Sequence, residues 1–278
     1  MTQSLSDLPH QRFGQKFDVT ADFKLSDTLS TLLLHRSCRH YRHKTVSDDV
    51  VRTLLAAAFS APSKSDLQQV SVIRITDQAK LNRLARHNHE VGWIADAPEF
   101  MVWCGDNRRI RTLSKWKQHD FANDHLDAFM NAAVDVGIAL QSFISAAESI
   151  GLGCCRVSQI RDDIEFLSKE LALPNWVFPV AGLCVGWPVK PEKISIRLPL
   201  EITVHDNIYN DSRLIDETTE YDIRREQADP TEPAQQRLRN KYGVTERYGW
   251  PEDKTRQYAE PMRTDFGAYI RKQGFDLA

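Results

Sequence analysis

Residues 35–44, HRSCRHYRHK, place seven His, Arg or Lys side chains in ten positions of a chain whose formal net charge is −2. Three chemistries fit such a stretch. His35, His40 and His43 could offer imidazoles to a metal, but no acidic partner lies within the stretch and Arg36, Arg39 and Arg42 would repel a cation. A nucleic acid would need an extended basic face, and this cluster is short and isolated. A phosphate monoester fits better. Arg36 and Arg39 lie three apart with Ser37 between them, guanidinium forks match phosphate oxygens bidentately, and a hydroxyl adds a short hydrogen bond. The group carries about −1.5 to −2 charges near neutrality, which two or three cations would balance. A solvated surface turn explains the composition as well, so the phosphate reading depends on what stands elsewhere.

The rest of the chain sets the bounds. Its 278 residues can bury a sizeable core, as one large domain or two small ones. With 41% hydrophobic and 27% charged residues, and 36 basic against 38 acidic side chains, there is no global pull toward nucleic acid or an anionic membrane. No apolar run reaches the ~20 residues of a membrane span. MTQSLSDLPHQRFGQKFDV lacks the apolar core of a signal peptide. A cytoplasmic protein without membrane or nucleic-acid partner is expected. The five cysteines, Cys38, Cys104, Cys154, Cys155 and Cys184, show no metal-like spacing. Free, buried thiols are expected, with Cys154 and Cys155 on opposite faces of a strand.

The cation cluster needs elements to hold it. Residues 1–24 read as a polar arm. Ser26 can cap a helix carrying Leu29, Leu32 and Leu33. Ser47, Asp48 and Asp49 open a second, with Val51, Leu54, Leu55, Ala58 and Phe59 as its buried stripe. Ala61-Pro62-Ser63 reads as a loop. VSVIRI (70–75) reads as a buried strand, 78–90 as a short helix and EFMVWCGD (99–106) as a strand. The longest element spans roughly 124–150. It is apolar on most faces and should be buried on most faces, as a central helix or against another subunit. It reads as too short and too polar for a membrane span, and Gly151 and Gly153 should end it. GCCRVSQI reads as a strand, IEFLSKELAL as a helix closed by Pro174, and FPVAGLCVGWP (178–188) as a central strand. RLPLEITVHDNIY reads as extended chain. From about 210 the sequence turns charged and Pro-containing, a mobile excursion or an arm wrapped round a partner, before MRTDFGAYIRKQGF regains a helical pattern.

Six stretches, HRSCRHYRHKTVSDDV, SAPSKSDLQQVSVIRITD, DAPEFMVWCGD, AAVDVGIALQSFISAAESIGLG, LALPNWVFPVAGLCVGWP and RLPLEITVHDNIY, together resemble the nitroreductase family of FMN-dependent enzymes. The resemblance is to its branch of oxygen-insensitive NADPH nitroreductases and NADPH:flavin reductases. It implies an α+β, nitroreductase-like fold: a central, mostly antiparallel mixed sheet flanked by helices, with an extended C-terminal excursion. The implied organisation is an arm over 1–24, an FMN-binding core over 25–210, and a segment over 211–278 serving the dimer and the substrate site.

The resemblance also implies roles. His35, Arg36, Ser37 and Arg39 would hold the phosphate and ribityl chain of FMN, and Arg197 would complete the clamp. Ala61, Pro62, Ser63, Ser65, Asp66 and Gln68 would lie along the isoalloxazine, and backbone groups of Arg156, Val157, Ser158 and Gln159 would approach its N5 and O4. Arg247, Arg256 and Arg263 match the family's late cations at the NADPH and acceptor site. His40, Arg42, His43 and Lys44 are then solvated neighbours, or a partial screen for a phosphorylated nicotinamide. Three departures stand out: Ser195 replaces a second clamp cation, Ser158-Gln159 replaces a Gly pair, and Asp66 stands where relatives carry Asn.

The implied chemistry is two-electron transfer by a ping-pong cycle, from NADPH or NADH through FMN to nitroaromatics, quinones or flavins. It needs no protein nucleophile, catalytic side chain or metal. A reductive dehalogenase or flavin-modifying enzyme on the same scaffold is the alternative, and a non-catalytic flavin-binding protein the less favoured one. The expected assembly is a homodimer with flavin at its interface.

Overall fold

In the computed structural model the described residues are 7–15, 25–87 and 89–278. The remainder of the arm expected over 1–24 lies outside them. Four strands, β1 (Val70–Arg74), β2 (Glu99–Asp106), β3 (Gly153–Val157) and β4 (Val177–Gly186), form one sheet in the order β1-β2-β4-β3. The helices are α1 (Asp7–Phe13), α2 (Asp27–Leu33), α3 (Asp48–Phe59), α4 (Gln78–His87), α5 (Arg108–Lys117), α6 (Leu126–Ser149), α7 (Ile164–Glu170), α8 (Leu200–Thr203), α9 (Leu214–Ala228), α10 (Arg239–Tyr242), α11 (Trp250–Tyr258) and α12 (Phe266–Lys272). The chain packs as two compact units: Arg36–Glu192 with Arg263–Ala278, and the described residues up to His35 with Lys193–Met262.

The first of these units is the sheet and its covering helices. All ladder pairings are antiparallel, and the parallel component reduces to one bridge, Ser37 to Cys154. Central β2 is buried at every position, as a strand covered on both faces must be. On one face Met101, Trp103, Leu183 and Val185 pack with Leu54 of α3 and with Val136, Leu140, Phe143 and Ile144 of α6. On the other, Phe100, Val102 and Cys184 pack with Leu81 and Leu84 of α4 and Leu167 of α7. The expected alternation of the vicinal thiols holds: Cys154 faces the first layer and Cys155 the second. All five cysteines are free and buried.

Several local expectations hold. Ser26 caps α2, its hydroxyl accepting from Leu29 N at 3.2 Å. Other details differ. Ser47 opens α3 without a side-chain cap bond, and Phe59 is 51% exposed, with its ring stacked 6.3 Å from that of Trp103. β1 is a half-buried edge strand, not a fully buried one. α6 runs 24 residues, long and apolar enough to cross a membrane, so length does not set it apart from a span; its inner face is in the core beside the sheet. Gly151, at φ +86°, ends α6, whereas Gly153 lies within β3.

The second unit was the less legible. The segment read as a mobile excursion contains α9, fifteen residues held by one narrow buried edge, Glu217 and Tyr221. RLPLEITVHDNIY contains the single-turn α8. α1 lies inside the stretch read as a polar arm, and buries Leu8 and Arg12.

Candidate functional site

β3 is an edge strand, and its outer side receives the segment that carries the cation cluster. Cys38 N donates to Cys154 O at 2.8 Å, and the Cys38 side chain is 2% exposed. The approach requires Gly153: a Cβ there would stand 2.6 Å from Cys38 Cβ and 2.7 Å from its Sγ. Burying Cys38 leaves its neighbours Ser37 and Arg39 exposed. Arg36 is half-buried and donates to Glu192 O at 3.2 Å. Arg39 places its guanidinium 5.9 Å from the centroid of the Trp93 ring.

Arg156, exposed on β3, shares this region with Arg39. Burial pushes the Cys155 thiol above its ordinary value, and both guanidinium groups oppose that shift. A further cation follows. Arg161, the last residue of the short 3-10 turn Gln159–Arg161, donates to Val180 O and lies 5.7 Å from the Phe266 ring. Its burial lowers its pKa, and Arg263 and Arg156 push the same way. Arg263 donates to Asp162 Oδ1 at 2.7 Å. Val157 is buried, while Ser158 and Gln159 are half-buried at the strand's end.

The remaining cations of the opening stretch, His40, Arg42, His43 and Lys44, are all exposed, as expected of solvated neighbours, and three of them also hold contacts. Tyr41 pairs with Pro188, and its hydroxyl donates to Cys38 O at 2.5 Å. Arg42 Nε donates to Pro188 O at 2.8 Å, Lys44 lies 4.1 Å from the Trp187 ring, and His40 Nδ1 meets Glu192 at 2.9 Å. These contacts tie the segment to residues 187–192.

The loop after α3 is shaped by three residues at positive φ, Ser65 (50°), Asp66 (55°) and Gln68 (50°). Such backbone is costly for non-glycine residues and persists only where surroundings hold it. The holder is Asp135, 2% exposed in the middle of α6. It accepts from Ser63 Oγ at 2.7 Å, Lys64 N at 3.1 Å and Gln69 Nε2 at 3.3 Å. Ser63 Oγ in turn accepts from Gln68 N at 2.8 Å. Gln69 and Asn107 are both buried, and Asn107 Nδ2 reaches Gln69 Oε1 at 3.3 Å. Arg111 Nε donates to Asn107 Oδ1 at 2.6 Å and closes the network on Asp124. Ala61 is half-buried, Pro62 is exposed, and Ser65, Asp66 and Gln68 stand exposed on this clamped frame. Gln68 Nε2 donates to Asp66 Oδ1 at 3.1 Å.

Within the sheet-bearing unit, then, Arg36, Ser37, Arg39 and Arg156–Gln159 are brought to one edge, and residues 61–68 form a separate clamped loop. His35, Arg197, Arg247 and Arg256 belong to the other unit. There His35 is half-buried and Arg197 and Arg247 are exposed. Arg256 is turned inward: 3% exposed, it pairs with Glu252 at 2.6 Å and donates to Arg237 O and Gly243 O at 2.9 and 2.8 Å. Those bonds use its fork for internal structure. Sequence reading passed over Asp135, Gln69 and Asn107. The available signal was a lone carboxylate in the middle of a helix otherwise apolar there.

A four-stranded antiparallel sheet with α6 across one face, and a cationic loop docked on its edge strand, defines an α+β architecture. The chain belongs to the nitroreductase family. The model described as "Nitroreductase family" matches residues 33–187, and that of the family's C-terminal domain matches 195–278. The NADPH-flavin oxidoreductase of Vibrio harveyi is 30% identical over 250 residues, covering 90% of this chain and 98% of the relative. The oxygen-insensitive NADPH nitroreductase of Salmonella typhimurium is 37% identical over 185 residues, covering 66% and 75%. Among solved structures, NfrA2 of B. megaterium superposes with a TM-score of 0.82 at 29% identity, over 91% of this chain and all of that one. The NADPH:FMN oxidoreductase of Vibrio harveyi complexed with NAD+ gives 0.78 at 29%, over 90% and 98%.

Proposed function

We propose that this protein is an FMN-dependent NAD(P)H oxidoreductase that passes two electrons, by a ping-pong cycle, to a small acceptor: a nitroaromatic, a quinone or a flavin. The observation that carries the reading is the docking of Arg36–Arg39 on β3. It exposes a hydroxyl and a guanidinium at one edge by burying Cys38 between them. This donor set suits a phosphate monoester: two forks and one hydroxyl against a dianion. His35 and Arg197 are assigned to the same anion, Ser63–Gln68 and Arg156–Gln159 to the ring system, and Arg247 and Arg263 to the donor or acceptor. Bound FMN supplies hydride acceptance and two-electron release. The protein's own part is to grip the phosphate, hold the Ser63–Gln69 frame rigid through Asp135, and present fixed donors where charge develops.

The functional division is carried in the same way: an arm to residue 24, an FMN-binding core over 25–210, and 211–278 serving substrate and dimer. The assembly proposed is a cytoplasmic homodimer. Leu126, Met130, Val134 and Ile138 of α6 recur every four residues and are 49%, 59%, 48% and 37% exposed. A stripe of this kind marks an interaction face. Light scattering should give the mass of two chains, and a monomer that retains flavin would overturn the dimer.

The experiment for the activity is the absorbance spectrum of the purified protein followed by anaerobic titration with NADPH and with NADH. Bleaching of the bound flavin by either is expected. A bound flavin that stays oxidised under excess of both would overturn the enzymatic reading and leave a flavin-binding protein without turnover.

A further inference from the structure

We propose that Arg12 is a positioning residue for the phosphate end of the cofactor. In this account α1 is a strut fixing the two chain segments that carry His35 and Arg197. The inference rests on the FMN reading above and adds to it a part of the chain that the family's matches, over 33–187 and 195–278, do not include.

Arg12 is 6% exposed. Its Nε and Nη2 donate to Leu33 O at 2.9 and 2.7 Å, and Nη2 also donates to His35 O. Nη1 donates to Ser195 O at 3.0 Å. The backbone completes the tie, for Arg12 O accepts from Arg197 N at 2.8 Å. One residue therefore touches both segments. The Leu33 carbonyl is among those left without intrahelical partners at the end of α2, where a cation is doubly suited. A guanidinium is the group for this task, since its planar fork serves several acceptors at once in fixed geometry.

The strut is itself built in. Leu8 is 1% exposed. Gly14, at φ +65°, closes α1 with Gly14 N on His10 O at 2.8 Å. Ile196 packs over this turn, where a Cβ on Gly14 would be in van der Waals contact with Ile196 Cδ1 at 3.4 Å. The neighbouring carbonyl is held from elsewhere: Tyr221 of α9 donates to Ile196 O at 3.3 Å and is steadied by Arg225 at 3.2 Å. Across Ser195–Arg197 the backbone is pinned while the Arg197 side chain stays exposed. Ser195 stands where the resemblance calls for a second cation. The segment has one fewer charge to place, and its single guanidinium is held on a fixed backbone. Arg12 acts through the backbone: its Nε, Nη1 and Nη2 donate to carbonyls.

The test compares FMN with riboflavin, which differ only in the phosphate, by fluorescence titration of the flavin-free full-length protein. Wild type should prefer FMN. Arg12→Gln should reduce that preference about tenfold, the loss of roughly one charge-assisted contact, with riboflavin affinity nearly unchanged. Arg12→Lys keeps the charge and most of the packing but loses the fork, and should fall between. It also keeps the question answerable if the Gln variant does not fold. Lower thermal stability with an unchanged FMN-to-riboflavin ratio in the folded variants would make α1 a staple only and overturn the proposal. A wild-type protein that does not distinguish the two flavins would overturn the FMN reading itself, and this inference with it.

Discussion

The Ser63 hydroxyl donates to Asp135 Oδ2 at 2.7 Å, joining the loop after α3 to the buried middle of the longest helix. Three donors converge on that one carboxylate, and three non-glycine residues at positive φ follow directly. The strained backbone and the buried charge are two sides of one arrangement. The carboxylate is satisfied only by this loop geometry, and the loop geometry persists because the carboxylate demands it.

Asp135→Asn keeps the volume but leaves one acceptor oxygen, and turns an amide N–H₂ toward a donor at the other position. Hydrogen bonds to a charged group contribute roughly 1.5–3 kcal/mol each, and an unsatisfied buried donor adds its own cost. A loss of about 2–3 kcal/mol is expected, read as a lower urea midpoint at unchanged slope. A midpoint within error of wild type would remove Asp135 from the role assigned to it.

The cations of the opening stretch divide into two sets. Arg39 is exposed beside β3, whereas Arg42, also exposed, gives its Nε to Pro188 O. Arg39→Ala should weaken FMN about ten- to a hundredfold, the equivalent of roughly 1.5–3 kcal/mol. Arg42→Ala should change it little. Equal effects from both substitutions would point to a diffuse electrostatic field and against a built phosphate site.

The same contrast shows what the sequence could reveal. Arg36, Ser37 and Arg39 stand out because phosphate chemistry has a local spacing, and β2 and β4 because strands buried on both faces read as continuous apolar runs. Asp135 does not stand out, since its meaning lies in partners 66 to 72 residues away in sequence. α9 is hidden for another reason: only Glu217 and Tyr221 of its fifteen residues are buried, too few to print a helical period. Arg12 reads as one more charge in a polar arm, because its acceptors are carbonyls, which no side-chain pattern can announce. The inward turn of Arg256 is hidden for a related reason: a spacing that fits a ligand cation fits equally a guanidinium set on backbone oxygens.

Gly153→Ala tests the docking of the cation segment without touching a cation. The added methyl would overlap Cys38 Cβ at 2.6 Å and Sγ at 2.7 Å, and both lie on a buried side chain with little room to turn. Overpacking of this kind costs about 1–3 kcal/mol. Relief by moving Cys38 off β3 would carry Ser37 and Arg39 with it. FMN affinity should therefore fall along with stability. Gly182→Ala offers a control on the central strand β4: it meets Phe100 at 2.8 Å and not the Cys38 segment, and should cost stability without a comparable loss of FMN.

Arg111 sets a pH dependence of known sign. Its guanidinium binds both oxygens of Asp124, at 2.8 and 2.5 Å, and lies 4.4 Å from the Phe121 ring and 5.1 Å from the Trp176 ring. The hydrogen bond to Arg111 holds the Asp124 carboxyl below the ordinary carboxylate value. A carboxyl with a lower pKa in the folded than in the unfolded chain binds protons more readily once unfolded. Its contribution is complete above the unfolded value, about 3.9, and is lost as pH falls through the lower folded value. The Asp124 side chain is 38% exposed, so solvent screening keeps the contribution to about 1 kcal/mol or less. Asp124→Asn should thus be slightly less stable than wild type at pH 7, with the gap closing as pH drops below about 4. Urea midpoints for both proteins across that range measure it, and a gap that stays constant to the lowest pH would show that the pair is held by packing on the aromatic rings and not by charge.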